Sequence, residues 1–127
     1  MTEPKASSRA AADLLTVEVD DPAPGTTVIR AVGEIDLLTA PLLHERIGHA
    51  LPGCARLVVE LAGVTFLASS GLQVLLLAQE AAAAGGVELY LTGTDTAMVD
   101  RVLRASGLDR ILPVTGTDTA TLLERLG

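Results

Sequence analysis

The middle of the chain carries an apolar strand, a long apolar helix and a second strand in direct succession. Residues 57–61 are apolar with one exception, which is typical of a central strand covered on both faces. A helix is predicted from about residue 70 to residue 84, and Gly85-Gly86 ends it. Residues 87–91 then alternate as a strand does. These lengths predict a right-handed crossover that joins parallel strands, and therefore an α/β fold.

The flanking segments add further elements to this crossover. Strands at residues 15–19 and 27–32, separated by a turn cluster at 20–25, predict an antiparallel hairpin. Helices are predicted at residues 40–51, 96–105 and 117–126, with Thr39 as the N-cap of the first, and a short edge strand is predicted at 111–114. The result is a single domain: a mixed sheet of four or five strands with about four helices, mainly on one face.

The composition narrows the classes of function. The chain has 127 residues, a net charge of −7 and only 2% aromatic residues, which argues against binding to nucleic acid or to anionic membrane surfaces. No apolar run is long enough to insert into a membrane. One cysteine, Cys54, allows no internal disulfide, in keeping with a reducing, cytoplasmic location. Residues 1–12 are predicted to be a flexible tail before a domain at 13–127.

A serine at a helix start is the feature with the clearest chemical meaning. Ser70 to Gln73 fits the capping box, which satisfies backbone N–H groups and needs no further function. The same helix start can also hold a phosphate, so phosphorylation of Ser70 would turn a docking surface into a charged one. Gly71 inside the first turn is unfavourable and suggests close approach by a partner. This hypothesis expects the Ser70 hydroxyl to point outward.

Other candidate residues favour binding or structure over catalysis. Asp36 follows a strand and precedes a helix, which is typical of a turn residue. His44 and His49 are five residues apart, whereas residues on one helix face are three or four apart, so we predict surface histidines and no metal site. No nucleophile elbow or nucleotide-binding motif occurs. We therefore predict no enzymatic activity and no cofactor.

The sequence TGTDTA occurs twice, at residues 92–97 and at 115–120. Both copies are predicted to lie between a strand and a helix. Because Thr and Asp both satisfy N–H groups of the first helical turn, we interpret the repeat as one capping solution used twice. The alternative is a phosphate-binding role, which together with Ser70 would fit a small enzyme or a nucleotide binder.

Two motifs in the right order resemble those of a known family. Residues 64–72, VTFLASSGL, resemble the signature of STAS domains, specifically of bacterial anti-sigma factor antagonists. Gly33-Glu34-Ile35-Asp36, followed by Thr39-Ala40, resembles the second motif of that family. The order of elements also matches, from about Leu14 to Leu126. The resemblance implies an α/β, STAS-like fold for nearly the whole chain.

The resemblance also implies a regulatory function. Family members bind an anti-sigma factor that is also a serine kinase, and binding frees the sigma factor for transcription. The kinase phosphorylates a serine matched here by Ser70, which abolishes binding, and a serine phosphatase reverses the modification. The implied partner surface comprises Glu34, Asp36, Thr39, Ser69, Ser70 and Gly71, on a monomer or weak homodimer.

One position departs from the family pattern. The family usually has an aspartate two residues before the phosphoacceptor, where this chain has Ala68. An alternative function is therefore that of a STAS regulatory subunit of a transporter complex, with no phosphorylation switch. Ser69 is an alternative acceptor.

Overall fold

The computed structural model describes residues 13–127, and these form one four-stranded sheet with four α-helices. In chain order the elements are β1 (Leu15–Ala23), β2 (Thr26–Ile35), α1 (Ala40–Ala50), β3 (Arg56–Leu67), α2 (Ser69–Gly85), β4 (Glu88–Thr92), α3 (Ala97–Ser106) and α4 (Thr119–Leu126). Short 3-10 helices occur at Leu51–Gly53 and Leu108–Arg110. The predicted tail, residues 1–12, lies outside the described residues.

The sheet is mixed, with strand order β1-β2-β3-β4. β1 and β2 pair antiparallel, as predicted for the hairpin. β2 pairs parallel with β3, and β3 pairs parallel with β4. The predicted strand–helix–strand crossover is therefore confirmed by the parallel pairing on either side of α2.

Several strands extend beyond their predicted ends, and β2 continues from residue 32 to Ile35. β1 continues through the predicted turn cluster to Ala23, and the turn is confined to Pro24 and Gly25. Pro22 is tolerated because β1 is an edge strand, and the register shifts between Asp20 and Ala23. β3 continues past residue 61 to Leu67, where its last residues pair with the end of β2.

The predicted edge strand at residues 111–114 is wrong. The segment forms only an isolated bridge, in which Leu91 N donates to Pro113 O at 2.9 Å and Thr115 N donates to Leu91 O at 3.1 Å. A 3-10 helix immediately precedes it, and Pro113 has no N–H with which to extend a ladder. The sheet in the described residues therefore has four strands.

The core consists of two unequal layers. The larger one packs Ile29, Leu57 and Val59 of the sheet against buried residues of α1, α2 and α3. On the opposite face Val28 and Val58 pack against α4 alone. Because successive residues of a strand face opposite ways, β2 and β3 contribute to both layers. Three helices on one face and one on the other confirm the predicted arrangement.

Gly33 of β2 packs closely against the backbone at the start of β1. Its φ of +121° lies in the region that favours glycine, and a Cβ built there would collide with the carbonyl oxygen of Leu14. The backbone conformation and the close packing therefore both require glycine at the first position of the Gly33–Asp36 motif.

Replacing Gly33 with alanine is expected to lower the free energy of unfolding by about 2–4 kcal/mol, because backbone strain and overpacking act together. Gly48→Ala is the matched control, since nothing lies within 4 Å of the added methyl group on α1. The control is expected to raise stability by up to about 1 kcal/mol. Urea unfolding measures both, and equal stabilities for the two variants would contradict this account of Gly33.

Candidate functional site

The carboxyl ends of β2 and β3 lie side by side at one edge of the sheet. Ile35 pairs with Leu67, and the N–H of Ala68 donates to the carbonyl oxygen of Ile35 at 2.9 Å. The turn that leaves β2 and the helix that follows β3 therefore start next to each other. This carboxyl edge brings together the two motifs singled out in the sequence.

The turn between β2 and α1 is organised by Asp36 and Thr39. Oδ1 of Asp36 accepts hydrogen bonds from the N–H groups of Leu38 and Thr39, each at 3.0 Å. The N–H of Asp36 donates to Oγ1 of Thr39 at 2.9 Å, and that hydroxyl donates to the carbonyl oxygen of Glu34 at 2.7 Å. The turn interpretation of Asp36 is therefore confirmed.

Thr39 differs from its predicted capping role. It occupies the N-cap position of α1, but its side chain makes no cap hydrogen bond there. The residue is fully buried, at 0% exposure, and its hydroxyl bonds back toward β2. Thr39 was predicted to be part of the partner surface, but it is buried and stabilises the turn. Glu34 and Asp36, from the same predicted surface, are partly exposed.

The predicted capping box at Ser70 is wrong. Helix α2 begins one residue earlier, at Ser69, with Ala68 as an extended N-cap that makes no side-chain cap hydrogen bond. Ser70 therefore lies inside the first turn, where its side chain is not placed to cap the helix. The N-terminus of this long apolar helix lacks the side-chain acceptor that most helices have.

The two adjacent serines have different surroundings. Ser69 is exposed, whereas Ser70 is partly buried. Oγ of Ser70 is excluded from solvent and has no hydrogen-bond partner among the described residues. The Ser70 hydroxyl was expected to point outward, and in this structure it does not. Because phosphoryl transfer requires access to Oγ, Ser70 is not accessible for modification in this conformation.

Gly71 is buried, and packing within the fold explains it. A Cβ at this position would lie 2.6 Å from Cγ2 of Ile35 and 2.7 Å from Cδ1 of Leu67. The glycine lets the first turn of α2 lie against the ends of β2 and β3. The prediction that close approach by a partner requires this glycine is therefore replaced by a requirement of the core.

Exposed leucines beside the serines were missed by the sequence reasoning. Leu37 is 83% exposed and Leu38 is 47% exposed, and both lie in the turn that Asp36 holds. Leu77 on α2 is 42% exposed. Two consecutive leucines in a turn directly after Asp36 were the available signal, since large apolar side chains seldom occupy a solvated turn without a reason.

A groove runs between α1 and α2 and reaches Ser70. We call it the α1–α2 groove; its cavity is about 260 Å³. The residues that line it are Leu37, Ala40, Pro41, His44, Ser70, Gln73, Val74 and Leu77. The lining is mainly apolar, and Ser70 on its wall connects it to the carboxyl edge.

Three other observations concern possible chemistry elsewhere. Burial raises the pKa of the Cys54 thiol, so the reactive thiolate is disfavoured. In residues 13–127 no three His, Cys, Asp or Glu side chains are grouped so that they could hold a metal ion. Over the same residues, no helix has both the length and the apolar character needed to cross a membrane.

Thr39→Val is expected to lower the free energy of unfolding by about 1–3 kcal/mol, because it leaves the carbonyl of Glu34 and the N–H of Asp36 without their buried partner. Thr16→Val, at an exposed position of β1, is the matched control and should change stability by less than about 0.5 kcal/mol. Urea unfolding distinguishes the two. A Thr39 variant as stable as the control would show that the turn does not depend on this hydroxyl.

Similar proteins carry regulatory names. Two curated relatives, from strains CDC 1551 / Oshkosh and H37Rv of Mycobacterium tuberculosis, are called anti-sigma-F factor antagonist RsfB. Each is 44% identical to this chain over 66 residues, which is 51% of this chain and 53% of the relative. The match thus spans about half the length of these relatives.

Solved structures share the fold. The crystal structure of an anti-sigma factor antagonist from Mycobacterium paratuberculosis has a TM-score of 0.72 and 31% identity, covering 88% of this chain and 94% of the other. The unphosphorylated form of the anti-sigma factor antagonist SpoIIAA has a TM-score of 0.74 at 19% identity, covering 87% and 96%. The phosphorylated form of SpoIIAA from Bacillus has a TM-score of 0.70 at 18% identity, covering 88% and 100%.

The family itself follows from the match to a family model. The model described as "Mlab, STAS domain" matches residues 19–114, well over half of the chain. Those residues contain both motifs at the carboxyl edge and all four strands apart from the first residues of β1. The chain belongs to the STAS domain family.

Proposed function

We propose that this protein is an anti-sigma factor antagonist that binds an anti-sigma factor serine kinase through the carboxyl edge. One observation carries the proposal: the Ile35–Ala68 hydrogen bond places the exposed Leu37 turn beside the two serines at the start of α2. The names of the similar proteins from two Mycobacterium species support the same function.

The surface has the properties of a protein-binding site. Burial of the side chains of Leu37 and Leu38 in an interface would remove a large apolar area from water, which is favourable. The side chains of Asp36 and Thr39 hold the turn around them through hydrogen bonds, so little ordering is required on binding. The acidic side chains of Glu34 and Asp36 suit a basic partner surface.

Phosphorylation would reverse binding. In the proposed reaction Oγ of Ser70 attacks the γ-phosphorus of ATP in the kinase, ADP leaves, and the hydroxyl proton passes to a base of the kinase. The product gains about −1.5 to −2 charges at neutral pH. Against the apolar part of the partner surface that would cover Leu37 and Leu38, that charge opposes docking, because the phosphate would have to lose its hydration water. A phosphatase that hydrolyses the phosphoserine restores the binding form, and this protein performs no catalysis itself.

The folded structure should tolerate the phosphate. The first turn of α2 has no acidic residue and no side-chain cap, so a negative group there complements the helix dipole. The switch therefore acts on the interface and leaves the domain folded. The choice of Ser70 over Ser69 rests on the family motif, whereas the exposure of Ser69 favours it as the alternative acceptor.

Ala68 favours a second candidate function. As N-cap of α2 it provides no carboxylate beside the serines, where the family pattern has an aspartate. A STAS subunit that regulates a transporter complex without phosphorylation would need no such group. Co-purification with a transporter ATPase, and no interaction with any anti-sigma kinase, would support that function.

Ser70→Asp is expected to weaken binding to the cognate anti-sigma kinase at least about tenfold, or about 1.4 kcal/mol, as measured by isothermal titration calorimetry. Ser70→Ala should bind like the wild type. Ala120→Asp is the matched control, because Ala120 is exposed and occupies the same second position of α4 that Ser70 occupies in α2. Equal affinities for the wild type, Ser70→Asp and Ala120→Asp would contradict the switch.

Incubation with that kinase and ATP is expected to add one phosphoryl group to the wild type and none to Ser70→Ala, as read by intact mass. Ser69→Ala is the matched control and should still be modified. If Ser69→Ala loses the modification and Ser70→Ala keeps it, the acceptor is Ser69, and the assignment to Ser70 is wrong.

A further inference from the structure

The α1–α2 groove has exposed leucines on both of its sides. Leu37, 83% exposed, belongs to the turn before α1, and Leu77, 42% exposed, belongs to α2 two turns beyond Ser70. Pro41 and Val74 lie between them along the lining. Two large apolar side chains flanking one apolar cavity form a surface that gains stability when another apolar group enters it.

The size of the groove indicates what enters it. Pockets that bury small-molecule ligands usually have volumes of about 300–1,000 Å³. The cavity here is about 260 Å³ and is open to solvent along its length. That is room for one large amino-acid side chain, the kind of anchor that dominates the energy of a protein interface.

The charges around the groove indicate the flanking chemistry of the partner. None of the eight lining residues is Lys or Arg, and His44 is the sole lining residue able to carry a positive charge. Asp36 directly precedes Leu37 and Glu34 lies three residues before it, in a chain with a net charge of −7. A basic group beside the entering side chain would therefore complement this end of the groove.

We propose that the α1–α2 groove binds one large aliphatic or aromatic side chain of the anti-sigma factor, with a basic residue of that partner beside it facing Asp36. The proposal rests on the proposed function and adds the chemistry by which the partner is recognised. It extends the interface from the carboxyl edge, along α2, as far as Leu77.

The position of Ser70 on the groove wall links this anchor to the switch. A phosphoryl group on Oγ would place a strongly hydrated charge at the cavity that the anchor fills. The partner would then have to strip water from the phosphate before its apolar side chain could enter, which opposes binding. The groove therefore gives phosphorylation of Ser70 a direct route to release.

Leu37→Ser and Leu77→Ser, tested separately, are each expected to weaken binding of the anti-sigma kinase at least about tenfold in isothermal titration calorimetry. Ile111→Ser is the matched control, because Ile111 is 56% exposed and lies outside the groove. The Ile111→Ser variant should bind the kinase with the affinity of the wild type. Thermal unfolding verifies that all three variants are folded. The affinity of the wild type should also fall as salt concentration rises, because of the basic flank.

The outcomes separate this proposal from the proposed function. If the wild type binds and both groove variants bind equally well, the groove is not the anchor site, while the antagonist function stands. Loss of binding in Ile111→Ser as well as in the groove variants overturns the assignment to this groove. A wild type that binds none of the anti-sigma kinases encoded in its own genome overturns the function and the anchor site together.

Discussion

The hydrogen bond from the N–H of Ala68 to the carbonyl oxygen of Ile35 is the contact on which the site depends. It extends the parallel pairing of β2 and β3 to their last residues and fixes the turn after one strand beside the helix after the other. Gly71 makes this approach possible, because any side chain there would overlap Ile35 and Leu67. Sheet pairing and one missing side chain thus create the surface where the proposed binding and switching take place.

The same surface combines a turn held by hydrogen bonds with a serine at which we propose phosphorylation. The polar groups of Asp36 and Thr39 form hydrogen bonds within the turn, and Leu37 is exposed at its tip. Ser70 lies across from this turn, and its Oγ is excluded from solvent without a hydrogen-bond partner among the described residues. The proposed switch therefore requires this side chain to become accessible while the turn keeps its shape.

The sequence predicted the elements well where the pattern was long and periodic. Hydrophobic periodicity, together with the glycine and proline residues that end elements, predicted the strand–helix–strand unit, the antiparallel hairpin and the helices. The end of β3 could not be predicted, because Thr65 and Phe66 are exposed and carry no local strand signal. Phe66 pairs with Glu34 of β2, and Thr65 lies at the register shift just before that pair. Residues 111–114 had the composition of a strand, but one bridge to Leu91 is all that the neighbouring 3-10 helix allows.

The candidate site was found from its motifs, but the roles of its residues were not. A threonine before a helix caps it in most proteins, whereas Thr39 bonds back to the strand it follows. The repeated TGTDTA segment caps by its side chain in one copy, where Asp118 accepts from the N–H of Thr121, while Thr96 in the other copy makes no side-chain cap. Which hydrogen bonds these side chains make depends on their tertiary neighbours, so the sequence alone could not predict them.

We propose one surface for an anti-sigma factor, formed by the turn after β2 and the first three turns of α2. Titration of the ¹⁵N-labelled protein with that partner, followed through the backbone amide NMR shifts, tests this surface. The largest shift changes are expected at residues 36–39 and 69–77. Changes concentrated on α4 or along β1, with these two segments unaffected, would contradict it.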